Sequence, residues 1–133
     1  MLPDIQLRLR PDAHAPGEAR RSLEALRPRL DDALVDEAEL LVSELVSNCV
    51  QHADLDGRDS IELRVRGTGS RLHVDVTDPG SGFDPGDVSS FNPHGGWGLW
   101  LLERLAHCWG VERGEVTRVW FELDREEPAG RGS

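Results

Sequence analysis

The sequence predicts an α+β fold: a two-layer α/β sandwich in which a mixed, mostly antiparallel sheet carries its helices on one face. Three observations lead there. The strand-like segments alternate, so that each has one apolar and one charged side, as with Ile61, Leu63 and Val65 against Glu62, Arg64 and Arg66. The helix-like segments carry apolar stripes at helical spacing. The segments run β, α, α, β, β, loop, α, β, which suits one sheet covered on one side with the other side facing water. A chain of 133 residues suits a single domain. That domain is expected over residues 1–124, with a polar tail, 125–133, expected to be disordered.

Residues 5–10 (IQLRLR) set Ile5, Leu7 and Leu9 on one face of a strand that Pro11 ends. Residues 17–27 place Ala19, Leu23 and Leu26 at helical spacing, and Pro28 stops or kinks that helix. A long helix is expected from Asp36 to Ala53, with the stripe Leu41, Leu45, Cys49 flanked by Ala38, Val42, Val46 and Val50. Ser60–Arg66 and Arg71–Thr77 alternate as the two arms of a hairpin, turned by the glycines of GTGS at 67–70. Residues 78–86 break the pattern with Gly, Pro and Asp, and 87–95 read as a flexible loop. A second apolar helix is expected over 96–108, opening at a glycine cluster. Thr117–Leu123 closes the fold as a strand with Thr117, Val119, Phe121 and Leu123 on one face.

Composition removes several functions. The formal net charge is −10 and every one of the 15 basic residues is arginine. Nucleic-acid binding rests on cation-rich patches, so the expected partner is a small molecule or a protein. A P-loop needs a lysine on the β- and γ-phosphates, and the chain has none; a GxGxxG is absent too. No 18-residue apolar stretch occurs, so no membrane span is expected. The start, MLPDIQLRLR, lacks the apolar core of a secretion signal, and the expected compartment is the cytoplasm. Cys49 and Cys108 lie outside any CxxC and read as buried free thiols. The five histidines show no zinc-site spacing.

Three segments exceed what a plain sandwich needs. In SELVSNCVQHA, the spacing of four puts Glu44, Asn48 and His52 on one helical edge beside the buried stripe, either as a solvated polar face or as a functional edge. In DPGSG, Asp78 continues the inward parity of Leu72, Val74 and Val76, so its carboxylate is expected between helices and sheet. A buried carboxylate needs donors, and a purine's exocyclic amine is one; the alternative is a simple turn former. Gly80 and Gly82 let a ligand approach the backbone. In HGGWGL, Gly96 and Gly98 open a helix whose free N–H groups and partial positive charge suit phosphates, or merely let the chain turn. The intervening residues, 83–95, have the composition of a lid.

The joint order, ExxxN on a helix, DxGxG after a strand and GxG at a helix start, resembles the Bergerat (GHKL) nucleotide fold of gyrase, heat-shock chaperones, sensor histidine kinases and mismatch-repair ATPases. Within it, SELVSNCVQHA, VTDPGSGF, GGWGLWLLERLAHCWGV and VTRVWFEL most resemble the boxes and closing strand of the RsbW-type anti-sigma-factor serine kinases, over residues 5–124. The resemblance implies ATP and Mg²⁺ as cofactors. It implies that Asn48 holds the metal through its amide oxygen, that Glu44 acts as general base on a protein serine hydroxyl, and that Asp78 binds the adenine amine. Gly80 and Gly82 would make room for the base, Gly96 and Gly98 would cradle the phosphates, and Thr117 would touch the adenine. The implied partners are a sigma factor and a serine-bearing anti-sigma-factor antagonist, and the implied assembly is a homodimer. The implied function is an ATP-dependent serine/threonine kinase that sequesters a sigma factor; the alternative is an ATP-holding interaction module without significant phosphotransfer.

Two departures stand out. Arg118 occupies a position where the family often has a small polar residue, though with outward parity, and the lid's one candidate cation is His94. Trp97, Trp100, Trp109, Trp120 and Phe91 serve a core or an interface, and the outward parity of Trp120 points to a contact surface.

Overall fold

The structure, a computed structural model, describes residues 4–52, 58–68, 71–79 and 97–124. Its elements are β1 (Ile5–Leu9), α1 (Ala15–Ser22), a 3₁₀ turn (Leu23–Leu26), α2 (Asp32–His52), β2 (Ile61–Thr68), β3 (Arg71–Asp78), α3 (Trp97–Leu105), β4 (Cys108–Arg113) and β5 (Thr117–Asp124). The strands form one sheet in the order β1-β2-β3-β5-β4, and every described pairing is antiparallel. The tail, the GTGS turn at 69–70, the loop 80–96 and the residues following His52 up to 57 lie outside the described residues.

Alternation decides which side of the sheet is buried. Ile61, Leu63, Val65, Leu72, Val74, Val76, Val119, Phe121 and Leu123 all point to the helical layer and are buried. Against them lies the stripe of α2, now extended upstream through Leu34 and Val35 to Leu41, Leu45 and Cys49. The expected start at Asp36 is one turn too late, because Leu34 and Val35 continue the same apolar face. α1 begins with proline in its first turn, where a missing N–H is harmless, and carries Glu18 early and Arg20 and Arg21 late, matching the helix dipole. It passes into the 3₁₀ turn, which buries Leu23 and Leu26 before Pro28.

The second apolar helix is shorter than expected. The alternation-free run through Cys108 reads as helix, but α3 stops at Leu105. Ala106 N–H makes the last helical bond, to the Leu102 carbonyl at 2.9 Å, and His107 N–H already binds the Glu122 carbonyl of β5 at 2.8 Å. The next six residues form β4, an edge strand that the sequence reading lacked. Cys108, expected to be buried, is only half-buried at its start.

The outer face carries a ladder of opposite charges. Arg8 pairs with Glu62 at 3.4 Å, Arg64 with Asp4 at 3.1 Å and Arg71 with Asp124 at 2.7 Å. Trp120, expected as an exposed contact surface, is instead half-buried: it stacks on His73 and lies so close over Gly110 that a Cβ there would sit 2.7 Å from the indole nitrogen. Among the described residues no helix is long and apolar enough to cross a membrane.

Candidate functional site

Two strand ends and one helix converge at the inner face. β3 ends at Asp78 and β5 begins at Thr117, and the antiparallel register sets these two residues directly opposite each other. Both have inward parity and both are buried, at 4% and 2% exposure. Above them, α2 delivers Asn48 and Cys49, exposed by 6% and 3%. Glu44 sits one turn earlier on the same edge of α2 and is half-buried. The edge on which the sequence put Glu44 and Asn48 is therefore neither core nor fully solvated.

The carboxylate of Asp78 is tied to the helix by a contact the sequence reading missed. The Cys49 thiol donates to Asp78 Oδ2 at 3.1 Å. Burial pushes the thiol's pKa well up, and the negative charge of Asp78 adds to the shift, so the sulfur keeps its proton and remains a donor. The sequence predicts Cys49 as a buried free thiol, which it is; the contact to Asp78 is signalled only by its place next to Asn48 on α2. A small depression of about 190 Å³ reaches Asp78 from the strand end, lined also by Ser60, Glu62, Thr77, Pro79 and Val116. A larger one, about 550 Å³, lies on the outer face around Arg8, Arg64, Arg66 and Arg118.

Gly98 lies in the first turn of α3. Gly80, Gly82 and Gly96, with the lid at 83–95 and His94, fall outside the described residues, as does the side chain of His52. Arg118 faces outward, as its parity predicts, and pairs with Asp75 and with Glu112, the latter at 2.8 Å. It does not enter the interlayer.

The residues present fit an adenine nucleotide with Mg²⁺. A buried, oriented carboxylate with a hydroxyl residue opposite is the acceptor-rich end that an exocyclic amine needs. The amide oxygen of Asn48 is a hard donor of the kind Mg²⁺ takes alongside phosphates and water.

A family model described as the histidine kinase-like ATPase domain matches residues 8–122. The chain belongs to this family. Solved structures agree at the level of fold. The histidine kinase domain of a blue-light activated histidine kinase from Erythrobacter litoralis superposes with a TM-score of 0.59 at 23% identity, covering 84% of this chain and 60% of that one. The Acinetobacter baumannii histidine kinase AdeS gives 0.55 at 14% identity, covering 95% and 70%. The chain thus spans less than two-thirds of the first of these structures. No curated protein matches it. As a histidine kinase-like ATPase domain, the chain is an ATP-binding unit.

Proposed function

We propose that this ATPase domain is an ATP-dependent protein serine/threonine kinase that acts as an anti-sigma factor, phosphorylating a serine-bearing antagonist and sequestering a sigma factor. The observation that carries the reading is the placement of Glu44 one helical turn before the buried Asn48, on the helix that covers the Asp78–Thr117 strand ends. Phosphoryl transfer mainly requires positioning and charge stabilisation, and this arrangement separates the tasks. Asp78, with Thr117 opposite, receives the base. Asn48 would hold Mg²⁺, which supplies neutralisation of phosphate charge when bound. Glu44, half-buried at the edge of the same helix, is within reach of a partner's hydroxyl and takes its proton as the serine oxygen bonds to the γ-phosphorus and the bond to ADP breaks.

The test is incubation with labelled ATP and a serine-bearing antagonist protein. Label on the antagonist's serine supports the proposal. Tight ATP binding without label leaves the interaction module as the correct reading. Glu44→Ala is expected to bind ATP within about threefold of the parent while losing transfer by roughly 100-fold or more, the range of a missing general base. Loss of both would make Glu44 a structural residue.

A further inference from the structure

We propose that β1 is a self-recognition edge: two copies of the chain pair through it, antiparallel and two-fold about Leu7, and so join their sheets. This joint is independent of the kinase reading and asks nothing of Glu44 or Asp78.

β1 ends the sheet. Among the described strands it pairs with β2 alone, so its other side presents a row of backbone N–H and C=O groups with no strand beside them. Such a row is a template for another strand, and a fold needs some means of choosing what pairs there. On the core side, Ile5 and Leu7 pack against the core yet stay only half-buried. A strand laid along the edge would cover more of both.

The sequence of the edge selects its own copy. Residues 3–11 read PDIQLRLRP. Antiparallel pairing centred on Leu7 sets Leu7 against Leu7, Ile5 against Leu9 of the other copy, Gln6 against Arg8 and Asp4 against Arg10. The apolar residues stay on the core side, and each arginine meets an acceptor. A slip of one residue turns one copy's apolar side outward. Centring on Arg8 puts two guanidinium groups face to face, and centring on Gln6 leaves Leu9 opposite Pro3, which has no N–H to give. The Leu7 register alone pairs the whole of β1 with itself between the two prolines. The same residues turn other strands away, because a strand without matching acceptors leaves Arg8 and Arg10 unpaired and the prolines limit its run. The contact is isologous, so every pairing is made twice. The joined sheet has about ten strands, an ordinary size. β3 and β5, which carry Asp78 and Thr117, lie two and three strands in from the joint.

The test is sedimentation of the parent chain across the micromolar range, beside Asp4→Arg, Arg10→Asp and the double swap Asp4→Arg/Arg10→Asp. Both residues are exposed, and circular dichroism checks that each variant folds. Within one chain they stand roughly 20 Å apart along the strand and cannot pair with each other. Each single variant sets like charges across the joint at two places, and the dimer dissociation constant is expected to rise about tenfold. The swap restores opposite charges and is expected to return to within about threefold of the parent. Asp4 also pairs with Arg64 of its own chain at 3.1 Å, but that loss is the same in Asp4→Arg and in the swap, so recovery reads the contact between copies. A parent that stays monomeric overturns the proposal and leaves the edge to a strand of another protein. A dimer indifferent to the single variants overturns it too, as does one that they weaken and the swap fails to restore. Should a single variant misfold, Leu7→Cys in a Cys108→Ser chain decides, with Cys49 buried. Opposed residues of neighbouring strands bring their Cβ atoms to about 5 Å, so mild oxidation is expected to link two chains through residue 7, and chains that stay unlinked contradict the joint.

Discussion

Two buried aspartates on β3, Asp75 and Asp78, face opposite sides of the sheet and are held by opposite means. Asp75 lies on the outer face beside the guanidinium groups of Arg118 and, at 3.9 Å, Arg66, with the His73 ring at 3.2 Å. Asp78 lies on the inner face and accepts a thiol proton from Cys49. The first carboxylate is part of a charge ladder that closes the outer surface. The second accepts from a neutral donor on the buried side. A strand's alternation thus gives two acids three residues apart unlike surroundings, and the difference lies in what each side chain touches.

The sharpest attempt to break this contrast is Asp75→Asn. It strands Arg118 and Arg66 beside a neutral amide and is expected to lower stability by about 1–3 kcal/mol in urea melts, with ATP affinity unchanged. The arginines are partly exposed, which keeps the loss below that of a fully buried pair. If ATP binding fell instead, the outer face would belong to the site and the division between the two aspartates would be wrong.

A third acid sharpens the comparison. Arg27 is shared by Glu24, Asp32, Asp36 and Glu39 at the junction of the 3₁₀ turn and α2. Burial, then a hydrogen bond and the charge of Glu24, push the Glu39 carboxyl up to about 7. Its folded value exceeds its unfolded value of about 4.5, so its favourable contribution is present in full below that pH and is lost as pH rises through about 7. Glu39→Gln is expected to be more stable than the parent by about 1 kcal/mol near pH 8, after allowing for screening in this partly exposed cluster, and no more stable near pH 4. Melts at the two pH values check the sign. The smallest effect is expected from Arg8→Ala. Both partners of its pair with Glu62 are more than half exposed, so the change should stay under about 0.5 kcal/mol in the same assay.

Most of the fold was legible because period-two alternation has one physical cause, the burial of one sheet face. It fixed the inward direction of Leu72, Val74, Val76 and Asp78 and the outward direction of Arg118. β4 escaped because it is an edge strand continuing an apolar helical run, with half-buried residues on both sides and no alternation to mark the change. The start of α2 was less legible because Asp32 and Asp36 both precede apolar residues of the same face, and the helix opens at the earlier one. Near the strand ends, parity and spacing carried the positions of Glu44, Asn48 and Asp78, since each position depends on one element alone. The thiol bridge from Cys49 depends on how a helix and a strand 29 residues apart come together. That distance relation has no sequence period.

Calorimetric titration of ATP into the parent chain and into Asp78→Asn tests whether Asp78 holds the base of an adenine nucleotide. The parent is expected to bind ATP and the variant to lose about 1–3 kcal/mol, roughly 5- to 150-fold in affinity, with folding intact because the amide oxygen still accepts the Cys49 thiol. Equal ATP affinity in the two proteins would contradict it.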